Sequence, residues 1–242
     1  MADELDLLIE SAVGAERDPY PRFAERRRDT PVARGPAFGG GEPVYTVYRY
    51  ADVADVLRRQ PDDFGSGIYA PSIGTVFGPS ILQMDGKEHR DHRALIAGAF
   101  RRTALRDWED SFIRPTVHEL IDAFAHRGAA ELVREFTIRF PIRVIAAMLG
   151  IPPEHSALFT RLSIQVLAIA GDPAKGIEAS RELGEYYRGY LEARRREPAE
   201  DLISVLAHAE LDGQRLPEEE LLGFLRLLLS ACLLYTSPSP RD

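Results

Sequence analysis

One stretch of this chain carries its most informative pattern, Asp85-Gly86-Lys87-Glu88-His89-Arg90-Asp91-His92-Arg93-Ala94-Leu95-Ile96-Ala97-Gly98-Ala99-Phe100. In a helix over 87–100, His89, Arg93, Ile96 or Ala97, and Phe100 share one face, because residues three or four apart are neighbours on a helix surface. Arginine can hold a carboxylate through two N–H groups, and histidine can donate to a second carboxylate. This face therefore suits a large, flat, apolar ligand that carries acidic groups at its edge.

The same stretch allows two other interpretations. His and Arg four residues apart are common on an ordinary solvated helix face. His89 and His92, with Asp91 between them, could also ligate a metal, but a zinc site needs a third and a fourth ligand in a recognisable context. The remaining four histidines are scattered along the chain. We therefore expect no metal-ligating set of side chains.

Composition excludes several classes of protein. The chain has 242 residues, 45% of them hydrophobic, which is enough for a substantial core, and a net charge of -8, which gives no basic field for nucleic acid. The longest apolar stretch, 221–235, is shorter than the roughly 20 residues that a bilayer requires. One cysteine, Cys232, and an acidic N-terminus without a signal-peptide pattern fit a reducing compartment. We expect a cytoplasmic protein with no nucleic-acid or membrane partner.

Local patterns predict a mainly α-helical fold with a small N-terminal β-hairpin. The strands are expected at 31–34 and 43–48. The helices are expected at 50–60, 87–100, 104–127, 137–149, 154–170, 176–196, 199–209 and 217–231. The intervening segment 65–84 is expected to form a long lid without regular structure.

The last residues differ from everything before them. After the strongly apolar helix 217–231, which we expect to be central and buried, the chain closes on a Ser-Pro-Ser-Pro tail. This ending resembles translated sequencing-adapter DNA. We therefore divide the chain into 1–231, which carries the fold, and 232–242, a non-native tail.

The stretch around Glu88-His89, with Arg93, Leu95 and Ala99-Phe100-Arg101, resembles the helix C signature of bacterial cytochromes P-450, the heme-thiolate monooxygenases. It departs from the signature at Gly86-Lys87, where members usually carry prolines. Three other segments resemble further parts of the same family, in the same order along the chain: 47–57, 140–152, and 201–204 together with 221–231.

The resemblance implies a fold, a cofactor and a reaction. The chain would be the N-terminal portion of an incomplete cytochrome P-450 fold from a monooxygenase that hydroxylates a small apolar organic substrate, with O2 and electrons from a ferredoxin-type or flavin partner. In that family the residues at His89 and Arg93 contact the propionates of heme b, so we expect both to face inward. The resemblance also places Phe100 and Ala231 near the heme. Its substrate pocket would include Ile68, Ile81, Leu82 and Leu167.

The resemblance also implies what 1–231 lacks. The family's proton-delivery residues and its thiolate ligand loop would follow position 231, so we expect no catalytic residue here and an inactive fragment. Cys232 does not fit the ligand loop, because Leu225, Leu228 and Leu234 stand where Phe, Gly and Gly are needed. Later helices of the family cover helix 217–231, so we expect much of its surface to be uncovered here. The alternative function is a non-catalytic helical protein that binds a ligand or a partner.

Overall fold

The computed structural model describes residues 18–35, 43–59, 62–71, 73–97, 100, 102–167 and 172–235. Its helices are α1 Tyr20–Asp29, α2 Tyr50–Arg58, α3 Ile73–Phe77, α4 Gly86–Ala97, α5 Arg102–Trp108, α6 Arg114–Ala125, α7 Arg139–Met148, α8 Ser156–Leu167, α9 Pro173–Arg196, α10 Leu202–Ala207 and α11 Glu218–Tyr235. Two π-helical turns, Glu109–Ile113 and Val133–Thr137, precede α6 and α7. The prediction of a mainly α-helical fold is confirmed.

Two short antiparallel hairpins complete the fold. Strand β1, Val32–Gly35, pairs with β2, Val44–Val47, as the sequence predicts. A second hairpin, of β3 Glu210–Leu211 and β4 Gln214–Arg215, was not predicted. Its turn is Asp212-Gly213, where φ is 52° and 78°. Two consecutive positive φ angles are typical of the tightest hairpin turns, and Asp-Gly is a preferred pair there. The prediction of helix 199–209 is therefore too long at its C-terminal end.

The structure also revises two predicted boundaries. The segment 65–84 is not free of regular structure, since it holds a 3-10 turn, Ser66–Tyr69, and the short helix α3. The last helix does not end at 231 but continues to Tyr235. No glycine or proline follows Gly223 until Pro238, so nothing in the sequence stops the helix at the predicted position. The helix therefore crosses the predicted start of the tail, and residues 236–242 lie outside the described part.

Helix α11 lies in the core, as its composition predicts. It packs against α3, α7, α8 and α9. Its buried apolar side chains are Leu221, Leu222, Phe224, Leu225 and Leu229. The expectation that much of this helix is uncovered is wrong for these five residues, because the neighbouring helices already enclose them. Leu227 and Leu228 remain half-buried.

Acidic residues in the first turn of α11 connect it to α9. The Glu218 carboxylate accepts from Arg188 at 2.7 Å and from Arg195 at 3.1 Å. Glu219 accepts from Arg188 at 3.2 Å. These contacts with the arginines, that of Arg188 first, hold the pKa of Glu218 below its ordinary value. Carboxylates are also favoured at a helix N-terminus by the helix dipole, so the first turn of α11 is fixed to α9 by charge as well as by packing.

A charged side chain of α11 lies inside the core. Arg226 of α11 is buried, and its Nε donates to the carbonyl oxygen of Ser180 in α9 at 3.0 Å. Its Nη1 donates to the carbonyl oxygen of Phe77, at the end of α3, at 3.3 Å. The guanidinium lies against Gly184, where an added Cβ would overlap Nη2. The absence of a side chain at Gly184 therefore makes room for the buried cation.

We predict that Gly184→Ala destabilises the chain by about 1–3 kcal/mol, since the new methyl group must displace the bound guanidinium. Gly189→Ala is the matched control. Gly189 lies on the same helix and is exposed, and a methyl group added there would meet no atom within 4 Å. It should be neutral or stabilising by up to about 1 kcal/mol, because alanine is the better helix former. Chemical denaturation measures the free energy of unfolding of both variants. Equal changes in the two would contradict the close contact between Gly184 and the Arg226 guanidinium.

Candidate functional site

The residues predicted to bind an acidic ligand lie on α4. His89 and Arg93 are one helical turn apart, so they project from the same side of the helix. His89 is half-buried and Arg93 is exposed. Within the described part of the chain, neither side chain takes part in a hydrogen bond or an ion pair.

The buried side chain of this helix is His92. Its exposed fraction is 8%, whereas its neighbours Arg93 and Ala94 are exposed. The sequence predicts that His89 and Arg93 face inward, but the structure places His92 there instead. The physical reason is helical geometry: His92 shares the apolar stripe of Leu95 and Ile96, three and four residues further on.

Both ring nitrogens of His92 have partners. Nδ1 lies 2.9 Å from the carbonyl oxygen of Glu88, and Nε2 lies 2.9 Å from Oε2 of Glu220 in α11. Burial lowers the pKa of His92, but the hydrogen bonds and charges of Glu220 and Glu88 outweigh it, so the pKa is raised above its ordinary value. His92 is thus a buried link between α4 and the first turn of α11.

The two apolar residues predicted near the cofactor lie in different surroundings. Phe100 is half-buried and meets Trp108 edge to face, with ring centroids 5.6 Å apart. Trp108 in turn contacts Phe112. Ala231 is an exposed position of α11. Phe100 therefore packs on an aromatic group that borders the core, while the surface at Ala231 is open.

The structure brings one of the four predicted substrate residues into a cavity. Ile81 lines a small cavity together with Met84, His92, Glu220 and Phe224, beneath the segment that joins α3 to α4. Ile68 and Leu82 are exposed and do not line it. The fourth, Leu167, ends α8, and its side chain lies outside the described part.

The described part of the chain holds neither a metal-ligating cluster nor a helix that could span a membrane. Among the described residues, no three His, Cys, Asp or Glu side chains come together as a metal site. His92, one half of the possible pair, already has both ring nitrogens engaged. Likewise, none of the helices in the described ranges has the length and apolar character that crossing a membrane requires.

His92 is the functional candidate that sequence reasoning missed. The sequence did contain a signal, since a histidine on the apolar stripe of a helix must be hydrogen-bonded when buried. Its partner could not be found in this way, because Glu220 is 128 residues away in the sequence.

Comparison with known proteins identifies relatives by sequence and by structure. A scan of protein-family profiles finds no match. Cytochrome P450 109 of Bacillus spizizenii is 34% identical over 224 residues, which are 88% of this chain and 52% of that protein. Mycinamicin IV hydroxylase/epoxidase of Micromonospora griseorubida is also 34% identical, covering 87% of this chain and 54% of that protein.

Solved structures agree with the sequence comparison. The structure of cytochrome P450 CYP109Q5 from Chondromyces apiculatus matches with a TM-score of 0.70 and 38% identity, over 89% of this chain and 54% of that one. The chain spans about half the length of the relatives it matches. By sequence and by fold, the chain belongs to the bacterial cytochrome P450 family.

Proposed function

We propose that this chain supplies the propionate-binding portion of a heme-dependent monooxygenase that hydroxylates a small apolar organic substrate. The observation that carries the proposal is the pair His89 and Arg93, which share one side of α4 and have no other side-chain partner among the described residues. Family membership implies heme as the cofactor.

The donor set of α4 fits the two propionates of heme b. A guanidinium can hold one carboxylate with two parallel N–H bonds, and an imidazole N–H can donate to the other. Phe100 and Ala231 would supply apolar surface beside them. Bound heme supplies the centre at which O2 is activated, while His89 and Arg93 hold and orient the propionate edge.

The segment 65–84 is proposed to shape the substrate pocket. Ile81 already contributes to an apolar cavity with Met84 and Phe224. Ile68, Leu82 and Leu167 would extend this lining when the rest of the site is present. Pockets lined mainly by apolar side chains select ligands by burying apolar surface, which supports a small apolar substrate.

Electron supply and location belong to the same proposal. Monooxygenation with O2 consumes two electrons from outside the substrate, so a ferredoxin-type or flavin partner is proposed, in the cytoplasm. We place no catalytic residue within 1–231, and we propose that the axial thiolate is a residue other than Cys232.

We predict that Arg93→Gln and His89→Gln each weaken the binding of hemin by about tenfold or more. This is the loss of affinity that corresponds to the free energy of one charge-assisted hydrogen bond. Quenching of Trp108, the single tryptophan of the chain, reports binding. Hemin dimethyl ester, whose propionates are blocked, should bind the wild type and both variants equally. Arg90→Gln is the matched control, since it removes the same charge from a different side of α4.

Equal affinity of the wild-type chain for hemin and for its dimethyl ester would contradict the assignment of His89 and Arg93. A loss of affinity with Arg90→Gln as large as that with Arg93→Gln would also contradict it, since it would show a general effect of charge.

We predict that the chain mixed with hemin, then reduced and exposed to carbon monoxide, lacks the absorption band typical of thiolate-ligated iron. Cys232→Ala should leave the spectrum unchanged. A thiolate-type band that is present in the wild-type chain and disappears in Cys232→Ala would identify Cys232 as the ligand and overturn its dismissal.

A further inference from the structure

The link between His92 and Glu220 lies directly beside the proposed propionate-binding pair. His92 is three residues after His89 and adjacent to Arg93 on α4. Glu220 belongs to the first turn of α11, the helix that also carries Ala231. The contact therefore joins the helix that would bind the propionates to the helix that would run past the heme.

The atoms of this link favour a charged imidazole. The Glu88 carbonyl oxygen can only accept a hydrogen bond, so Nδ1 must carry a proton to bond with it at 2.9 Å. An ionised Glu220 carboxylate likewise accepts from a protonated Nε2, also at 2.9 Å. Among the described residues, the charged groups that raise the pKa of this ring are Glu220 on α11 and Glu88 on its own helix.

Hydrogen bonds from both ring nitrogens help to fix the position of this ring. One side of His92 lines the cavity that also contains Ile81 and Phe224. A buried ring next to a cavity lacks packing partners on that side, so its hydrogen bonds carry more of the positioning.

Helix geometry relates this contact to the direction of His89 and Arg93. Successive residues are about 100° apart, so His92 lies about 60° from His89 and about 100° from Arg93 around the axis. Side chains reach about 5–6 Å from the axis, so a rotation of α4 by about 20° moves their ends by about 2 Å. Such a shift is enough to break a bidentate hydrogen bond.

We propose that His92, held by Glu220, is a positioning residue that fixes the rotation of α4 and so aims His89 and Arg93 at the heme propionates. This inference rests on the proposed function and adds a residue pair to it. His92 itself touches no propionate, and its effect reaches the ligand through the orientation of α4.

The first test observes the link itself, without heme. Ring nitrogen chemical shifts of the labelled chain should show His92 protonated on both nitrogens below its raised pKa. Glu220→Gln, which removes the charge at nearly constant shape, should lower the pKa of His92. A His92 ring that is neutral below the ordinary histidine pKa of about 6.5, or whose titration ignores Glu220→Gln, would overturn the proposal.

The second test measures what the link does. His92→Leu keeps a side chain of similar size but removes both hydrogen bonds. It should reduce the ratio of hemin affinity to dimethyl-ester affinity by about tenfold. A loss of that size is typical of metal sites that lose a residue orienting a ligand. Glu220→Gln should reduce the ratio in the same direction. His208→Leu is the control, because its ring makes the same contact with a backbone oxygen, that of Ser204 at 2.9 Å, and has no carboxylate partner among the described residues.

The pH dependence gives an independent check with a defined sign. Because the pKa of His92 is raised in the folded chain, the charged link is complete at low pH and is lost as pH rises through that value. The hemin-to-ester ratio should fall over the same range, and Glu220→Gln should move the midpoint of this fall to lower pH. His89 is present in both proteins, so a shift of the midpoint is due to Glu220.

The outcomes separate this inference from the proposed function. If the wild-type chain does not distinguish hemin from its ester although the link is present, the proposed function fails and the positioning role fails with it. If the wild type distinguishes them but His92→Leu and Glu220→Gln leave the ratio unchanged, only the positioning role is wrong. Equal losses for hemin and its ester in His92→Leu would indicate a purely structural role and would also overturn it.

Discussion

The buried guanidinium of Arg226 constrains the arrangement of the elements around it. An isolated charge in a protein interior costs several kcal/mol unless acceptors surround it. Arg226 finds carbonyl oxygens on two other elements, Ser180 of α9 and Phe77 at the end of α3. The Ser180 hydroxyl also donates to the carbonyl oxygen of Val76 in α3. Three elements distant in sequence are therefore joined at one point. Burial lowers the pKa of Arg226, and no carboxylate among the described residues lies within hydrogen-bonding distance of it.

The first turn of α11 extends this arrangement with negative charge. Glu218 and Glu219 bind arginines of α9, and Glu220 binds His92 of α4. Three consecutive carboxylates thus contact two different helices, because successive residues point about 100° apart around the axis. The helix that forms the centre of the core also sets the position of the helix proposed to bind the cofactor.

The side of α4 that is proposed to bind the propionates differs from its core side in whether its hydrogen-bond donors already have partners. The core side of α4 is engaged through His92, whereas Arg93 on the adjoining flank is exposed and has no partner within the described ranges. A site that must accept two carboxylates needs donors that other groups of the protein have not already satisfied. The contrast between engaged His92 and available Arg93 therefore agrees with a positioning role for one and a binding role for the other.

The sequence by itself determined the element types and the chemistry of the candidate pair. Periodic apolar residues specify α7, α9 and α11, and the β-branched strand 44–47 specifies the hairpin, because these signals depend on neighbours a few residues apart. Spacing of four residues likewise placed His89 and Arg93 on one side of α4. The Asp-Gly pair at 212–213 is also a local signal, since it favours a tight hairpin turn.

Only the tertiary structure decided which side chains of α4 face inward and what they meet. The rotation of a helix about its axis depends on contacts from distant parts of the chain, and here these include Glu220, which no local pattern connects to His92. The same holds for Arg226, whose acceptors lie on α3 and α9. Local spacing fixes which residues share a face, but long-range hydrogen bonds to buried charges fix where that face points.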